Sequence, residues 1–270
     1  SEQAFYDEDR ECLKAKDKKS ISPDSLQSAH DEDATYRTKG GKGQSGYVLN
    51  LSETCSKDNP FQLITDYRVD QNIKSDVELI KDRLPVIKEN TGCKDLYVDG
   101  GFYSDEVVKL GKDNGINLHF TNLSGREPSK KLPVTEYQID ESTNIITKCP
   151  KGITPIHTGI TKGQTVAHFP LKACETCEYR KKCHCKKQKK SYVVRISIKS
   201  IRSAQQRKKA ERNRRENTSM RAGIEGTHSA LKRGHGLSKL KVRGLIKCSI
   251  TVGYKVLAQN FKRFAKYMLE

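Results

Sequence analysis

The sequence predicts an α/β fold, with a mixed sheet flanked by helices, and two features support this prediction. Runs rich in strand-forming residues alternate with runs whose apolar residues recur at helical spacing. The apolar run at residues 95–99 is typical of a short buried strand, and Gly100 and Gly101 end it sharply. A chain of 270 residues can bury a sizeable core, and we expect one domain with a sub-domain insertion.

Each element of this fold has its own pattern in the sequence. In the first helix Ile80, Leu84 and Ile87 recur at helical spacing, and Pro85 favours a bend or break there. Gly115 is expected to end the second helix. In chain order the predicted elements are strands at 46–54 and 61–69, a helix at 76–89, a strand at 95–99, a helix at 104–114 and a strand at 116–121.

Four regions follow from these patterns. Residues 1–40 are expected to be a polar linker, and residues 41–121 the first part of the core. Residues 122–200 form a cysteine-containing insertion, and residues 201–270 are the helical C-terminal part. The tail at 245–269 predicts an amphipathic helix that packs on the sheet, with contact to a membrane surface or to a second copy as alternatives.

Asp99 is the first candidate site residue. A carboxylate at the carboxyl end of a buried strand, beside a glycine turn, occupies the place where open α/β sheets put their chemistry. The alternative is structural, because an Asp at a strand end also initiates turns and caps the helix that begins near Ser104.

Glu225 is the second candidate. Arg221, Glu225 and Lys232 fall along one face of a helix that turns every 3.6 residues. A carboxylate flanked by cations suits a metal-binding acid whose neighbours hold phosphates. An ordinary exposed helix with an i, i+4 ion pair would have the same spacing.

The Arg221, Glu225 and Lys232 spacing resembles the signature around the third acidic residue of DDE-type bacterial insertion-sequence transposases. Asp99 with its following glycines is similar to the second Asp of those enzymes. Thr218 stands where the signature usually has Tyr, which affects an expected phosphate contact. Further similarity lies at residues 25–28, 33–37 and 237–245, so the resemblance extends over nearly the whole chain.

This resemblance implies a ribonuclease-H-like fold in which two Asp and one Glu hold two Mg²⁺ or Mn²⁺ ions. Asp99 would bridge the metals, Glu225 would bind one of them, and Arg221 and Lys232 would contact DNA phosphates. Hard cations prefer carboxylate and phosphate oxygens, so the residue types are consistent with these roles. The implied partners are transposon ends, target DNA and a second copy in a synaptic complex, in the cytoplasm of a bacterium near its nucleoid.

The first Asp of the family pattern has no clear counterpart in the sequence. The predicted elements begin one strand later than those of the implied fold, so we expect that strand and its Asp upstream of residue 1 and interpret the chain as a fragment. Asp33 is the alternative candidate for this acid within the chain, but a loop or turn role is favoured for it. The alternatives are a catalytically inactive, zinc-containing DNA-binding remnant and a metal-dependent nuclease of the same fold.

Five of the nine cysteines lie in the insertion. Their spacing predicts a tetrahedral Zn²⁺ site, with Cys185 or His184 as substitutes for one ligand, and unligated thiols as the alternative. A disulfide framework is disfavoured, because no signal peptide is evident and a DNA enzyme works in a reducing cytosol. The predicted zinc ligands are Cys149, Cys174, Cys177 and Cys183.

The charge of the chain agrees with a nucleic-acid partner. The net charge is +18 and the sequence pI is about 9.5, with lysine and arginine dominating residues 180–215. Such density favours phosphate binding by counterion release, although a solvated helix face would have the same composition. No apolar run approaches the ~20 residues that a membrane span needs.

Overall fold

The computed structural model describes residues 2–121 and 130–270, and the chain divides into two compact units. The first unit comprises Ser1–Leu96, Lys109–Leu118 and Thr218–Glu270, and the second comprises Tyr97–Val108 and His119–Asn217. In chain order the strands and helices are β1 (Ala4–Asp7), β2 (Cys12–Ala15), β3 (Thr35–Lys39), β4 (Lys42–Glu53), β5 (Ile64–Gln71), α1 (Asp76–Thr91), β6 (Asp95–Val98), α2 (Asp105–Asp113), β7 (Asn117–Phe120), β8 (Gln138–Ile139), β9 (Ile146–Lys148), β10 (His157–Thr161), β11 (Gln164–Phe169), α3 (Leu171–Glu175), β12 (Cys185–Lys187), β13 (Tyr192–Ser197), α4 (Ile198–Arg212), α5 (Arg214–Gly234) and α6 (Leu245–Leu269).

The first unit contains a three-stranded antiparallel sheet in the order β3-β4-β5. The first part of β4 pairs with β3, and its second part, from Tyr47 onward, pairs with β5. Gly40 and Gly41 form the two-residue turn between β3 and β4, and both have positive φ, as this hairpin turn requires. The sequence prediction of two strands before α1 therefore omitted β3. The region predicted as a linker also contains the β1–β2 hairpin.

Helix α1 begins with a capping box, because the Ser75 side chain accepts from the backbone of Glu78 and the Glu78 side chain accepts from the backbone of Ser75. Pro85 lies inside α1, yet the helix continues to Thr91, so the break that the sequence favoured does not occur. Gly92 ends the helix in the left-handed conformation.

Helix α6 packs on β5, as the amphipathic pattern of the tail predicted. Its N-terminus is capped from a distant segment. The Asp33 carboxylate accepts from the Leu245 backbone N–H at 3.0 Å, and the Asp31 carboxylate accepts from the Gly244 N–H at 3.2 Å. The core of this unit is formed by Leu51, Ile64, Val69, Leu231, Cys248, Val252 and Val256.

Strands β6 and β7 pair and are joined by α2. The Asn117 N–H donates to the Lys94 carbonyl, and the Thr121 N–H donates to the Val98 carbonyl. These bonds advance in the same direction along both strands, so the pair is parallel. The predicted order of strand, helix and strand around Asp99 is therefore confirmed.

The insertion contains a four-stranded antiparallel sheet in the order β10-β11-β13-β12 and the short β8–β9 ladder. Phe169, Tyr192 and Val194 lie in its core, and Ile201 of α4 covers it. Residues 122–129 of the predicted insertion lie outside the described residues. The structure is a mixed α/β fold with several sheets, and none of the described helices is long and apolar enough to cross a membrane.

Candidate active site and nucleic-acid interface

Asp99 follows the last residue of β6 and is exposed to solvent. It caps the short turn Gly100–Phe102, and its carboxylate accepts from the Gly100 N–H at 2.7 Å. The turn-capping role considered for Asp99 is therefore present, and it holds the carboxylate at the carboxyl end of a parallel strand. Asp99 belongs to the second unit, and Glu225 belongs to the first.

Glu225 lies on α5 and its side chain is 67% exposed. The Arg221 guanidinium, one turn earlier, donates to the Glu225 carboxylate at 2.9 Å. Lys232, two turns later, is also exposed. The helix that the sequence predicted is thus present with its acid and its cations in the expected order. The i, i+4 ion pair of the structural alternative is present as well.

The sequence analysis missed His228, which is partly buried three residues after Glu225. Burial lowers the pKa of His228, and the positive charges of Lys232 and Arg221 lower it further. The imidazole is therefore neutral near pH 7. Residues 221, 225, 228 and 232 recur at helical spacing, so the sequence alone places His228 on the same helix face as Glu225.

A buried carboxylate that the sequence analysis also missed anchors the helix of Glu225. The Thr227 hydroxyl donates to the Glu53 carboxylate at 2.6 Å, and the Arg263 guanidinium donates to the same oxygen at 3.1 Å. The Glu53 side chain is only 5% exposed. A Cβ at position 223 would lie 3.2 Å from Glu53 Oε1, so Gly223 permits this close approach. We define Glu53, Thr227 and Arg263 as the anchor.

The anchor connects three elements of the first unit. Glu53 ends β4, Thr227 lies on α5 two residues after Glu225, and Arg263 lies on α6. The arginine also donates to the Gln62 carbonyl at 3.1 Å. Because a buried carboxylate needs charged or hydrogen-bonded partners, this network fixes how α5 lies against the sheet. A lone Glu at a strand end carries no sequence signal for such distant partners.

The five cysteines of the insertion line one small cavity in the second unit. Four of them also pack against the hydrophobic core of the sheet: Cys149, Cys174, Cys183 and Cys185. Burial, and then the neighbouring thiols, raise the pKa of Cys174 to about 11 and that of Cys185 to about 12. All nine cysteines are within the described ranges and are free thiols.

The zinc prediction is not supported by this arrangement. Within residues 2–121 and 130–270, no three His, Cys, Asp or Glu side chains are grouped so as to hold a metal ion. This result includes the predicted ligands Cys149, Cys174, Cys177 and Cys183. Of these, Cys149, Cys174 and Cys183 pack against the hydrophobic core as small apolar side chains. His184, considered as a substitute, contacts the Leu132 carbonyl at 2.9 Å through Nε2.

The same result applies to the carboxylates. Asp99 and Glu225 each offer oxygen donors of the kind that Mg²⁺ and Mn²⁺ prefer, but among the described residues neither belongs to a group of three side chains that could hold a metal ion. These residues therefore do not form a complete metal site by themselves.

Cations are concentrated on the second unit. Helix α4 exposes Arg207, Lys208 and Lys209 in succession, with Arg212 a turn later. Exposed lysines also occupy β12 and the turn after it: Lys186, Lys187, Lys189 and Lys190. Lys187 is engaged by Glu175 at 2.7 Å. The density of exposed cations suits binding to a phosphate backbone.

Residues 148–265 match the family model described as Transposase DDE domain. The matched segment includes part of the insertion and the whole of α5, with Arg221, Glu225 and Lys232, while Asp99 lies outside it. Through this segment the chain is similar to the DDE-type transposases, the family that the sequence resemblance indicated. No curated protein and no solved structure is significantly similar to the chain.

Proposed function

We propose that Asp99 and Glu225 are two of the three acidic residues of a DDE transposase centre, which cleaves DNA at insertion-sequence ends and joins the freed 3′ ends to target DNA. The observation that carries this proposal is the family match across α5, where Glu225 lies between Arg221 and Lys232. The exposed carboxylate of Asp99 at the end of a parallel strand supports its inclusion.

In this proposal each side chain has a role that its chemistry allows. Arg221 and Lys232 bind DNA phosphates, because guanidinium and ammonium groups make charge-assisted hydrogen bonds to phosphate oxygens. The cations of α4 add affinity for DNA that does not depend on the base sequence, because they bind the phosphate backbone. DDE transposases generally use divalent metal ions, and we expect Mg²⁺ or Mn²⁺ here, with a third carboxylate completing the site. Joining two ends brings two copies together, so we also expect a homodimer.

A second candidate function is supported by the metal-site result. The described residues group no three acids, and a chain without a complete site would be a catalytically inactive, basic DNA-binding remnant. The ribonuclease-H-like arrangement of the elements is likewise part of the proposal. Structural zinc is left out of it, because the cysteines are not arranged to hold a metal.

Cleavage of a labelled DNA duplex in Mg²⁺ or Mn²⁺ distinguishes the two candidates. The chain is compared with a version extended upstream to the start of its reading frame. If only the extended version cleaves, the enzyme is supported and the third acid lies in the added segment. If both versions cleave, the third acid lies within the chain. If both bind DNA without cleaving it, the remnant is supported.

A further inference from the structure

Helix α6 presents an apolar stripe on the face opposite its core. Val252 and Val256 point into the first unit, whereas the residues on the other side of the helix are 45% to 71% exposed. We define the α6 stripe as Ile250, Tyr254, Leu257, Phe261, Phe264 and Met268.

The spacing of the stripe is that of a coiled-coil seam. Its members follow one another at intervals of four, three, four, three and four residues, so they form one line along the helix. A seam of this kind is complementary to a second helix with the same spacing. Six large side chains that are about half exposed or more present on the order of 600 Å² of apolar surface. Monomers rarely expose so large a contiguous patch, and a standard interface uses about 800 Å² per partner.

The positions that flank the stripe carry no charge. In a coiled coil these flanking positions specify the partner through their charges. Here they are neutral residues. Thr251, Ala258 and Ala265 flank one side of the stripe; Gly253, Asn260 and Tyr267 flank the other, where Gly253 lies close to the Tyr67 hydroxyl and Asn260 is hydrogen-bonded to Ile64. An acidic partner helix would be recognised by flanking cations, and binding to an anionic membrane needs them too. The positions that flank the stripe carry no cations.

Three of the five cations of α6 have partners within the chain, whereas Lys247 and Lys262 are exposed, and Lys247 continues the line of the stripe three residues before Ile250. Arg263 is held by Glu53 at 3.1 Å, and the Lys255 ammonium donates to the His235 carbonyl. Lys266 is 3.4 Å from Glu270. Two chains that each carry +18 repel one another over most of their surfaces. Self-association is therefore favoured at a surface that is apolar and bordered by neutral residues.

An open groove continues the stripe toward the sheet. It has a volume of about 490 Å³ and lies between β5 and α6, lined by Ile64 and Tyr67 on the strand and by Tyr254 and Leu257 on the helix. The groove can receive bulky side chains from an opposing stripe. Phe61 partly covers the far end of the stripe, with its ring 5.9 Å from that of Phe264.

We propose that the α6 stripe is the surface through which two copies of this chain associate, with helix packed against helix. This inference rests on the homodimer part of the proposed function and not on catalysis. The association needs no DNA, and it does not weaken as salt is raised, because the contact is apolar and the charges repel.

Sedimentation equilibrium of the full chain without DNA tests this proposal over a wide range of concentration. Wild type is expected to show a monomer–dimer equilibrium. Leu257→Ala should weaken it about tenfold, and the double variant Leu257→Glu/Phe261→Glu should be monomeric. Lys262→Glu changes charge on the same helix away from the stripe and should still dimerise. Far-UV circular dichroism spectra that match wild type would establish that the variants are folded, since all three positions are exposed.

Three outcomes would overturn the proposal. A dimer that survives the double variant would show that another surface is used, and the proposed homodimer would stand. A wild-type chain that stays monomeric at every concentration would show that the stripe does not self-associate. A monomer that binds anionic phospholipid vesicles through the stripe would assign the surface to a membrane. DNA cleavage would decide the catalytic proposal separately in all three cases.

Discussion

Thr227 and Glu53, which are 174 residues apart, are joined by a hydrogen bond of 2.6 Å between the threonine hydroxyl and the carboxylate. Because Thr227 lies two residues after Glu225, this bond fixes the rotation of α5 at the point where the candidate acid projects. Arg263 neutralises the same carboxylate from α6. The anchor therefore makes the direction of Glu225 depend on β4 and α6.

Loss of the Glu53 charge should weaken both the fold and the site. Glu53→Gln leaves the Arg263 guanidinium without its counter-charge, and we expect the free energy of unfolding to fall by about 2 to 3 kcal/mol. Urea unfolding measures this change. We also expect the rate of DNA cleavage in Mg²⁺ or Mn²⁺ to fall. This fall should be larger than the decrease in the folded fraction of the protein explains.

Asp66→Asn is the matched control for the anchor. Asp66 is a buried carboxylate on β5 that is paired with Arg83 of α1, so its loss also breaks a buried ion pair. Its ion-pair partner lies on α1 rather than on α5 or α6, so we expect lower stability with normal cleavage per folded molecule. Equal losses of cleavage in the two variants would contradict a positioning role for Glu53.

The Asp33 cap gives a second test. Asp33→Ala removes the acceptor for the Leu245 N–H and should lower the free energy of unfolding by about 1 kcal/mol. Asp33→Asn keeps an acceptor and loses only the favourable charge at the helix N-terminus, so its cost should be roughly half as large. If Asp33 instead acted as a metal-binding acid, both variants would abolish cleavage while stability stayed close to that of wild type.

The cysteine cavity makes a prediction about reactivity. With pKa values of about 11 and 12, Cys174 and Cys185 are almost wholly protonated at pH 7.5, and alkylation requires the thiolate. Iodoacetamide labelling followed by mass spectrometry should show slower modification there than at exposed Cys12. The difference should narrow as pH rises toward 11. Protection of all five cavity cysteines by added Zn²⁺ would contradict the metal-free packing described above.

The cations of α4 should contribute to DNA affinity through phosphate contacts. Lys208→Ala/Lys209→Ala is expected to weaken binding to any duplex and to reduce the slope of log affinity against log salt by up to about 2. Fluorescence anisotropy at several salt concentrations measures both quantities. The control Lys18→Ala/Lys19→Ala removes two exposed lysines of the first unit and should change the slope less. Equal slopes for the two variants would assign binding to net charge rather than to α4.

The elements that the sequence predicted well have strong local signals. The boundaries of α1 and α6 follow from apolar periodicity, and the Asp99 turn follows from the glycines after an apolar strand. Strand β3 was missed because its residues alternate weakly, although Gly40 and Gly41 are a recognisable two-residue hairpin turn. The β-sheet of the insertion depends on pairing between separated short strands, which local patterns predict poorly.

The candidate site was predictable only in part. Arg221, Glu225 and Lys232 share a helix, so their relation follows from helical geometry alone. Glu53 becomes important through partners that tertiary packing brings from more than 170 residues away. The cysteine spacing indicated a cluster, and the five thiols do line one cavity. The packing of these thiols, and the raised pKa values of Cys174 and Cys185, depend on burial that the sequence does not reveal.

The most direct test of the central claim is divalent-metal-dependent cleavage of labelled DNA by the extended protein, measured beside Glu225→Gln, Asp99→Asn and the control Glu216→Gln. Glu216 is an exposed acid at the start of the same helix and is outside the proposed site. We predict that cleavage requires Mg²⁺ or Mn²⁺, falls at least about a hundredfold in the first two variants and is unchanged in the control. Cleavage that persists in Glu225→Gln would contradict the assignment of Glu225 to the centre.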